Sequence, residues 1–311
     1  MIKRRDIAVL VPCYNEEKTI ARVVGDFKKE LPGAQIYVYD NNSTDKTAKL
    51  AKEAGAIVRK ERRQGKGNVV RAMFRDIGAD IYVMVDGDDT YSAKNVHKMI
   101  EAVDDGADMV IGDRLSSTYF KENKRFGHSF GNVIVRKTIN LLFHSKIQDV
   151  MTGYRAFSRR FVKTFPVCSD GFEIETEMTV HALDKKLNIE TVIADYKDRP
   201  SDSPSKLNTY KDGFKVIMTI FNMVREYKPL MFFSITSLIF IILSLILGIP
   251  VLSEYANTGL VPRLPTLLVS TILIVLSALV FSTGLILDII AKKTRQEFEI
   301  NLNLMQKNDK E

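Results

Sequence analysis

The stretch IYVMVDGDDTY, Ile81 to Tyr91, decides the fold. Ile81 to Val85 is a continuous apolar run with β-branched residues, the pattern of a strand buried on both faces in a parallel sheet. It stops at Asp86-Gly87-Asp88-Asp89, three carboxylates within four residues. Carboxylates at the carboxyl end of such a strand point into the crevice where open α/β sheets bind ligands. Two acids separated by one residue can share a hard, oxygen-preferring cation, Mg2+ or Mn2+, which brings substrate phosphates with it. For this stretch alone, a polar Asp-Gly turn leaving a strand is the plainer alternative.

The flanking chain repeats the same grammar. Apolar runs at Ile7-Val11, Gln35-Tyr39, Ala56-Arg59 and Met109-Ile111 read as strands. Amphipathic stretches at Glu17-Glu30, from Ser43 or Thr44 to Ala54, at Gly67-Ile77 and at Ala93-Val103 read as helices, the second capped by Ser43 or Thr44. Alternation of this kind predicts a mostly parallel, doubly wound, Rossmann-like α/β sheet. Polar clusters fall where strands end, at Pro12-Cys13-Tyr14-Asn15-Glu16, Asp40-Asn41-Asn42-Ser43 and Asp86-Gly87-Asp88-Asp89. Right-handed crossovers place those ends on one edge of the sheet, so the clusters converge on one site.

With 311 residues and 45% hydrophobic content, the chain can bury a full core and hold more than one domain. A net charge of +7 suits an anionic partner: nucleic acid, an acidic membrane surface or a phosphorylated substrate. Cys13 and Cys168 are far apart without metal-ligand spacing, and reduced cytosolic thiols are expected. The basic N-terminus precedes an apolar run too short for a signal peptide and broken at Pro12, so the N-terminal domain is expected to stay unexported.

Met231-Val251 and Leu267-Ala291 are each long and apolar enough to cross the ~30 Å hydrocarbon core, with Asp288 the one charge in the second. Arg225 and Lys228 precede the pair and Lys292, Lys293 and Arg295 follow it, which puts both termini in the cytoplasm. Asp288 is expected to reach the interface or a neighbouring helix. The expected organisation is a cytosolic domain at 1–228, with interfacial amphipathic helices about 116–146 and 208–228, then a two-helix membrane domain at 229–295 and a frayed polar tail at 296–311.

VPCYNEE, YDNNSTDKT, GKGN, DGDD and GDR, in that order, resemble the GT-A fold of inverting family 2 glycosyltransferases. QDVMTGYRAF, GFEIETEM and DRPSDSPSKLNTYKDG look like the branch with dolichol-phosphate mannose synthase and bacterial polyprenyl-phosphate glycosyltransferases. The resemblance spans roughly residues 5 to 215 and implies transfer of one sugar from a nucleotide sugar to undecaprenyl or dolichyl phosphate. It implies that Pro12, Tyr14 and Glu16 lie against the nucleotide and that Tyr39, Asp40 and Asn41 contact base or ribose. Where many relatives carry consecutive acids, this chain has Asp40-Asn41-Asn42, which leaves UDP-glucose or UDP-GlcNAc against GDP-mannose open. Lys66 belongs to a glycine-flanked basic loop on the nucleotide side; the Walker spacing is absent. Asp86, Gly87 and Asp88 match the DxD motif, with Asp86 and Asp88 as metal ligands for Mg2+ or Mn2+.

On the acceptor side, Arg114, Arg125, Ser129 and Arg199 match a lipid-phosphate cluster, a task that suits arginine's bidentate fork. Lys206 matches a lysine closing over the diphosphate. Asp149 and Glu173 or Glu175 match acidic positions that orient the sugar or the arginines. Two-span members can pack as homo-oligomers, making a second copy a candidate partner. A processive polysaccharide synthase is a rival, but its QxxRW motif needs a tryptophan and this chain has none. An inactive membrane scaffold would lack nucleotide-sugar binding. A nucleic-acid partner is not expected, because no nucleic-acid motif appears.

Overall fold

The structure is a computed structural model and describes residues 5–116, 129–171, 173–197, 218 and 221–308. Two compact units divide the chain, Met1–Gly213 and Phe214–Glu311.

The first unit is built on a seven-stranded sheet: β1 Ile7–Cys13, β2 Gln35–Asp40, β3 Ile57–Lys60, β4 Ile81–Met84, β5 Met109–Asp113, β6 Arg155–Ser158 and β7 Ile189–Ile193. Their order across the sheet is β3-β2-β1-β4-β6-β5-β7. The pairs β1–β2, β1–β4, β2–β3 and β5–β7 are parallel, while β6 runs antiparallel to both β4 and β5. Helices α1 Ile20–Glu30, α2 Thr47–Glu53, α3 Lys66–Asp76 and α4 Val96–Asp104 supply the crossovers, α4 entered through a 3-10 turn at Ala93–Asn95. Helices α5 Ser129–Phe143, α6 Arg159–Thr164 and α7 Ile174–Asp184 follow.

Register explains where the polar clusters go. Cys13 pairs with Asp40 and Leu10 with Met84, so β1, β2 and β4 end on the same edge. At each of these ends one residue takes the left-handed conformation: Asn15, Asn42 and Asp89, with φ of 55°, 64° and 58°. Asparagine and aspartate tolerate this region best among residues with a Cβ, and such backbone gathers at functional sites.

Three local expectations are corrected. Helix α1 starts at Ile20, because residues 15–17 are used as a loop bonded to the next crossover. Neither Ser43 nor Thr44 caps α2; Ser43 Oγ accepts from Asn15 N, and Asp45 Oδ1 takes the Thr47 N–H instead. The polar tail is not frayed across 296–308, since the last helix continues to Asn308.

The second unit contains α8 Pro229–Thr258 and α9 Leu264–Asn308. Both are long and apolar enough to be candidate membrane spans. Most of their large apolar side chains are exposed, and the buried residues include a seam of serines, Ser237, Ser244, Ser270 and Ser277. Ser237 and Ser277 share a hydroxyl–hydroxyl hydrogen bond of 2.8 Å, and Ser244 and Ser270 one of 2.9 Å. Ser277 Oγ also donates to Ser237 O, and the Ser244 and Ser270 hydroxyls each lie within hydrogen-bond distance of the other's carbonyl, so two protons are shared among three contacts. In lipid, where apolar burial drives nothing between helices, close packing and such bonds supply the association. At the hairpin tip Arg263 pairs with Glu254 at 3.4 Å. Asp288 pairs with Lys292 one turn on, at 2.8 Å.

Packing and hydrogen bonding in this seam predict different costs. Ser277→Ala should lose about 0.6 kcal/mol, whereas Ser244→Leu should lower the detergent melting temperature by several degrees more, because the Ser244 side chain fills a buried contact. Equal shifts in differential scanning fluorimetry would contradict the packing role.

Candidate active site

The edge where β1, β2 and β4 end is stitched by side chains that reach across it. Glu16 N donates to Thr47 Oγ1 at 2.8 Å and Thr44 N to Asn15 Oδ1 at 2.8 Å, tying the β1 loop to the β2 loop. Thr19 Oγ1 donates to Gly87 O at 2.7 Å, tying α1 to the acidic loop. Cys13 is buried beneath Gly87, and burial pushes its thiol pKa up, with Glu16, Asp40, Asp86 and Asp88 adding to the shift. It is therefore an inert filler. Pro12 and Glu16 are half-buried and Tyr14 is exposed on this edge.

The carboxylates of the acidic loop have different partners. Asp86 Oδ1 accepts from Lys66 Nζ at 2.5 Å. Asp88 Oδ1 accepts from Thr90 Oγ1 at 2.7 Å and from Thr90 N at 3.2 Å, which fixes its orientation. Asp89 is bonded by Lys197 Nζ at 2.8 Å and Arg22 Nη1 at 3.2 Å. The main chain beside it is paired too, Lys197 N donating to Thr90 O at 2.9 Å. The third acid thus fastens the segment after β7 to the acidic loop.

Lys66 opens α3 and lies in a backbone setting that only glycine permits. A Cβ on Gly65 or Gly67 would come within 2.1 Å of the carbonyl oxygen of Asp170 or Ser169, and Gly65 has φ of 128°. That close approach delivers the Lys66 ammonium to Asp86 and, at 2.6 Å, to Glu175 Oε1 at the start of α7. Burial alone would lower the Lys66 pKa, but the two carboxylates more than offset it and the net direction is up.

Beside β4, the TGYR segment supplies the floor. A Cβ on Gly153 would lie 2.2 Å from Asp86 Oδ2, so any side chain there would displace the Asp86 carboxylate. Tyr91 OH bonds Thr152 Oγ1 at 3.2 Å and accepts from Gly153 N at 3.3 Å. Arg114, held after β5 by a turn that Asp113 braces, donates through Nε to Asp149 Oδ2 at 2.8 Å. Its guanidinium lies 5.8 Å from the Tyr196 ring centroid, and Nη2 reaches Met151 O at 3.3 Å. Burial would lower its pKa, yet Tyr91 and Asp149 reverse the direction and keep it charged. Asp149 is fully buried, and its Oδ1 has no hydrogen-bond partner among the described residues.

Arg155, which the motif spacing does not single out, is fully buried at the head of β6. It donates to Val150 O at 2.6 Å, Thr152 O at 3.0 Å and Thr179 Oγ1 at 2.9 Å. Burial lowers its pKa to about 10, which still leaves it protonated at neutral pH. No local sequence signal marks it, since only Ala156 and Phe157 separate it from Ser158.

Other expected contacts sit differently. Tyr39 is buried, its hydroxyl bonded to Arg59 Nη1 and Asp76 Oδ2. Asn41 is buried, its amide nitrogen donating to Glu61 O and Arg63 O and its oxygen accepting from Gly65 N and Gln64 Nε2. Asn41 thereby shapes the wall around the 61–65 loop, while Tyr39 ties β2 to Arg59 and Asp76. Asp40 Oδ1 accepts from Ser43 N. Glu175 turns to Lys66, not to an arginine, and Glu173 is exposed. Arg125, Arg199 and Lys206 lie outside the described residues, as does the Ser129 side chain.

The donor chemistry at the end of β4 fits a divalent metal. Asp86 and Asp88 offer hard oxygens, and no cluster of three metal-ligating side chains occurs among the described residues. Two carboxylates with coordination positions left over suit a cation that also binds substrate phosphate.

Comparison with known proteins agrees with this geometry. The chain's fold is that of solved GT-A enzymes: glucosyl-3-phosphoglycerate synthase from Mycobacterium tuberculosis, in complex with Mn2+, UDP-glucose and phosphoglyceric acid, superposes with a TM-score of 0.55 at 21% identity, covering 72% of this chain and 80% of that one. The Glycosyl transferase family 2 profile matches residues 8–165. Glycosyltransferase AglJ of Haloferax volcanii is 35% identical over 228 residues, 73% of this chain and 75% of that protein. A dolichyl-phosphate hexose transferase of the same organism is 27% identical over 223 residues, 72% of this chain and 96% of that protein. The chain belongs to glycosyltransferase family 2, in its dolichol-phosphate mannose synthase-like branch.

Removing Arg155 should be costly. Arg155→Met strands the Val150 and Thr152 carbonyls, and roughly 1–3 kcal/mol per orphaned buried group is expected. Chemical denaturation followed by circular dichroism checks this; a loss below 1 kcal/mol would show the guanidinium is dispensable. Gly153→Ala should instead leave the fold largely intact and reduce nucleotide-sugar turnover, because the new methyl group displaces the Asp86 carboxylate.

Proposed function

We propose that this enzyme transfers a single sugar from a nucleoside diphosphate sugar to a polyprenyl phosphate, with inversion at the anomeric carbon. The observation that carries it is the pairing of Asp86 with Lys66 beside Asp88, on the same sheet edge as the Tyr14 and Glu16 loop. Carboxylates with an adjacent ammonium suit a metal-bound diphosphate. Acceptor chemistry is supported by the two apolar helices of the same chain and by the dolichyl-phosphate hexose transferase relative. Arg114, charged and anchored on Asp149, suits a phosphate monoester, and the resemblance adds Arg125, Ser129 and Arg199. Lys206 is proposed to act on the diphosphate. The Lys and Arg bias around the spans supports cytoplasmic termini and catalysis at the cytoplasmic face. The proposed domain organisation is a catalytic domain to residue 228, the spans from 229 to 295 and the tail beyond.

The nucleophile sets what the protein must do. A phosphate monoester has a second pKa of about 6, so at neutral pH it attacks as an anion and needs no general base. Positioning and stabilisation of the departing diphosphate are what remain. Asp86 and Asp88 would hold Mg2+ or Mn2+, which when bound supplies charge neutralisation on the diphosphate. Thr90 keeps Asp88 oriented for this, and Arg114 aims the acceptor oxygen.

A donor panel on purified protein in detergent tests the proposal. UDP-glucose, UDP-GlcNAc and GDP-mannose are each offered with undecaprenyl phosphate, and sugar entering the organic phase is followed with and without Mn2+ or Mg2+. Metal-dependent transfer from one donor is expected, and Asp88→Ala should lower it by roughly 10²-fold or more without loss of the folded circular dichroism spectrum. No transfer from any donor, or full activity in Asp88→Ala, would refute it. The rate should also fall about tenfold per pH unit below a pH of about 6, as the acceptor phosphate gains its second proton; a rate flat to pH 5 would exclude the dianion as nucleophile.

A further inference from the structure

Lys66 is bound more tightly than a phosphate-contacting lysine needs to be. Its side chain is 9% exposed, and its ammonium is 2.5 Å from Asp86 Oδ1 and 2.6 Å from Glu175 Oε1. The three groups come from α3, the end of β4 and the start of α7. The backbone of Ser169 and Asp170, pressed against Gly65 and Gly67, fixes where the lysine stem begins.

We propose that Lys66 is an exchangeable counterion: it holds Asp86 until a divalent cation arrives together with a nucleoside diphosphate, and then passes from Asp86 to the diphosphate oxygens. The inference rests on the metal and nucleotide function proposed above and adds an order of assembly with the residue that imposes it. A dication ligated by Asp86 must take oxygen electron density that the ammonium already uses, and it repels that ammonium at short range. Asp86, Asp88, Glu175 and Lys66 together carry three negative charges and one positive, a surplus of two that one dication neutralises. Metal alone would displace the ammonium from Asp86 toward Glu175 without supplying it a new anion. Metal with nucleotide gives it new anionic acceptors, which a compact charge on a flexible four-carbon stem is suited to reach. The site therefore binds metal weakly by itself and strongly with nucleotide, so that metal is not held idle on the enzyme.

The test is Mn2+ binding to the full chain in detergent, read from the electron paramagnetic resonance signal of free Mn2+, alone and with UDP or GDP. In Lys66→Gln, Mn2+ alone should bind at least tenfold tighter than in the wild type. The factor by which the nucleotide tightens Mn2+ binding should shrink at least tenfold. A simple change in site charge would move the first quantity and leave the second alone. Glu175→Gln, whose amide still accepts from the ammonium, covers the case in which Lys66→Gln does not fold. It should weaken Mn2+ alone several-fold and enlarge the nucleotide effect, since the lysine then depends more on Asp86. Wild-type affinity and coupling in whichever variant folds would overturn the exchange while leaving the metal function standing. Absence of Mn2+ binding to every protein, with either nucleotide, would overturn both.

Discussion

The buried guanidinium of Arg155 is the interaction on which the site depends. It sits at the head of β6, the strand that enters the sheet against the direction of its neighbours, between β4 and β5. By bonding the carbonyls of Val150 and Thr152 it fixes a loop whose other members have separate duties. Asp149 anchors Arg114, Thr152 bonds Tyr91, and Gly153 makes room for Asp86. One cation, itself far from any role in chemistry, therefore sets the spacing between the acidic loop and the arginine that faces it. A buried charge is costly, and burial lowers its pKa accordingly; the Glu175 and Asp149 charges nearby oppose that fall.

The site is otherwise a sequence of oppositely signed contacts. Arg114 meets Asp149, Lys66 meets Asp86 and Glu175, and Lys197 with Arg22 meets Asp89. The buried Lys66 and Arg114 pairs are stronger than surface pairs, Arg22 and Lys197 reach Asp89 from exposed positions, and each pair joins elements distant in the chain. The acidic loop is thus addressed from three sides: by the start of α3, by the segment after β7 and by α1. The proposed donor site is assembled without any one element carrying it.

Much of this was legible from the residues. The strands β1, β2 and β4 announce themselves as apolar runs ending in acids or asparagines, and the alternation with helices fixes a parallel sheet. The DxD position follows from where β4 stops, whereas the GDR arginine after β5 was marked by the family resemblance. The family itself was readable, because five short motifs in order are far more specific than one. What was hidden has physical causes. Strand β6 is four residues long and begins with an arginine, so no apolar run marks it. Tyr39 and Asn41 flank Asp40, and the two-residue period of an extended chain turns neighbours to opposite faces; proximity to the site in sequence does not say which way a side chain points. Asn41 in particular spends its donors and acceptors on the 61–65 loop. The helical continuation to Asn308 was obscured because composition marks the segment as polar, and polar residues are compatible with a helix that extends beyond a bilayer.

The serine seam between α8 and α9 has a mechanical meaning. Ser237 faces Ser277 and Ser244 faces Ser270, so the contacts step seven residues one way on one helix and seven the other way on its partner. Sliding either helix by one turn, about 5.4 Å, would break both hydroxyl pairs at once and press serines against branched side chains. The hairpin is locked against axial shear. It behaves as a strut with a defined length.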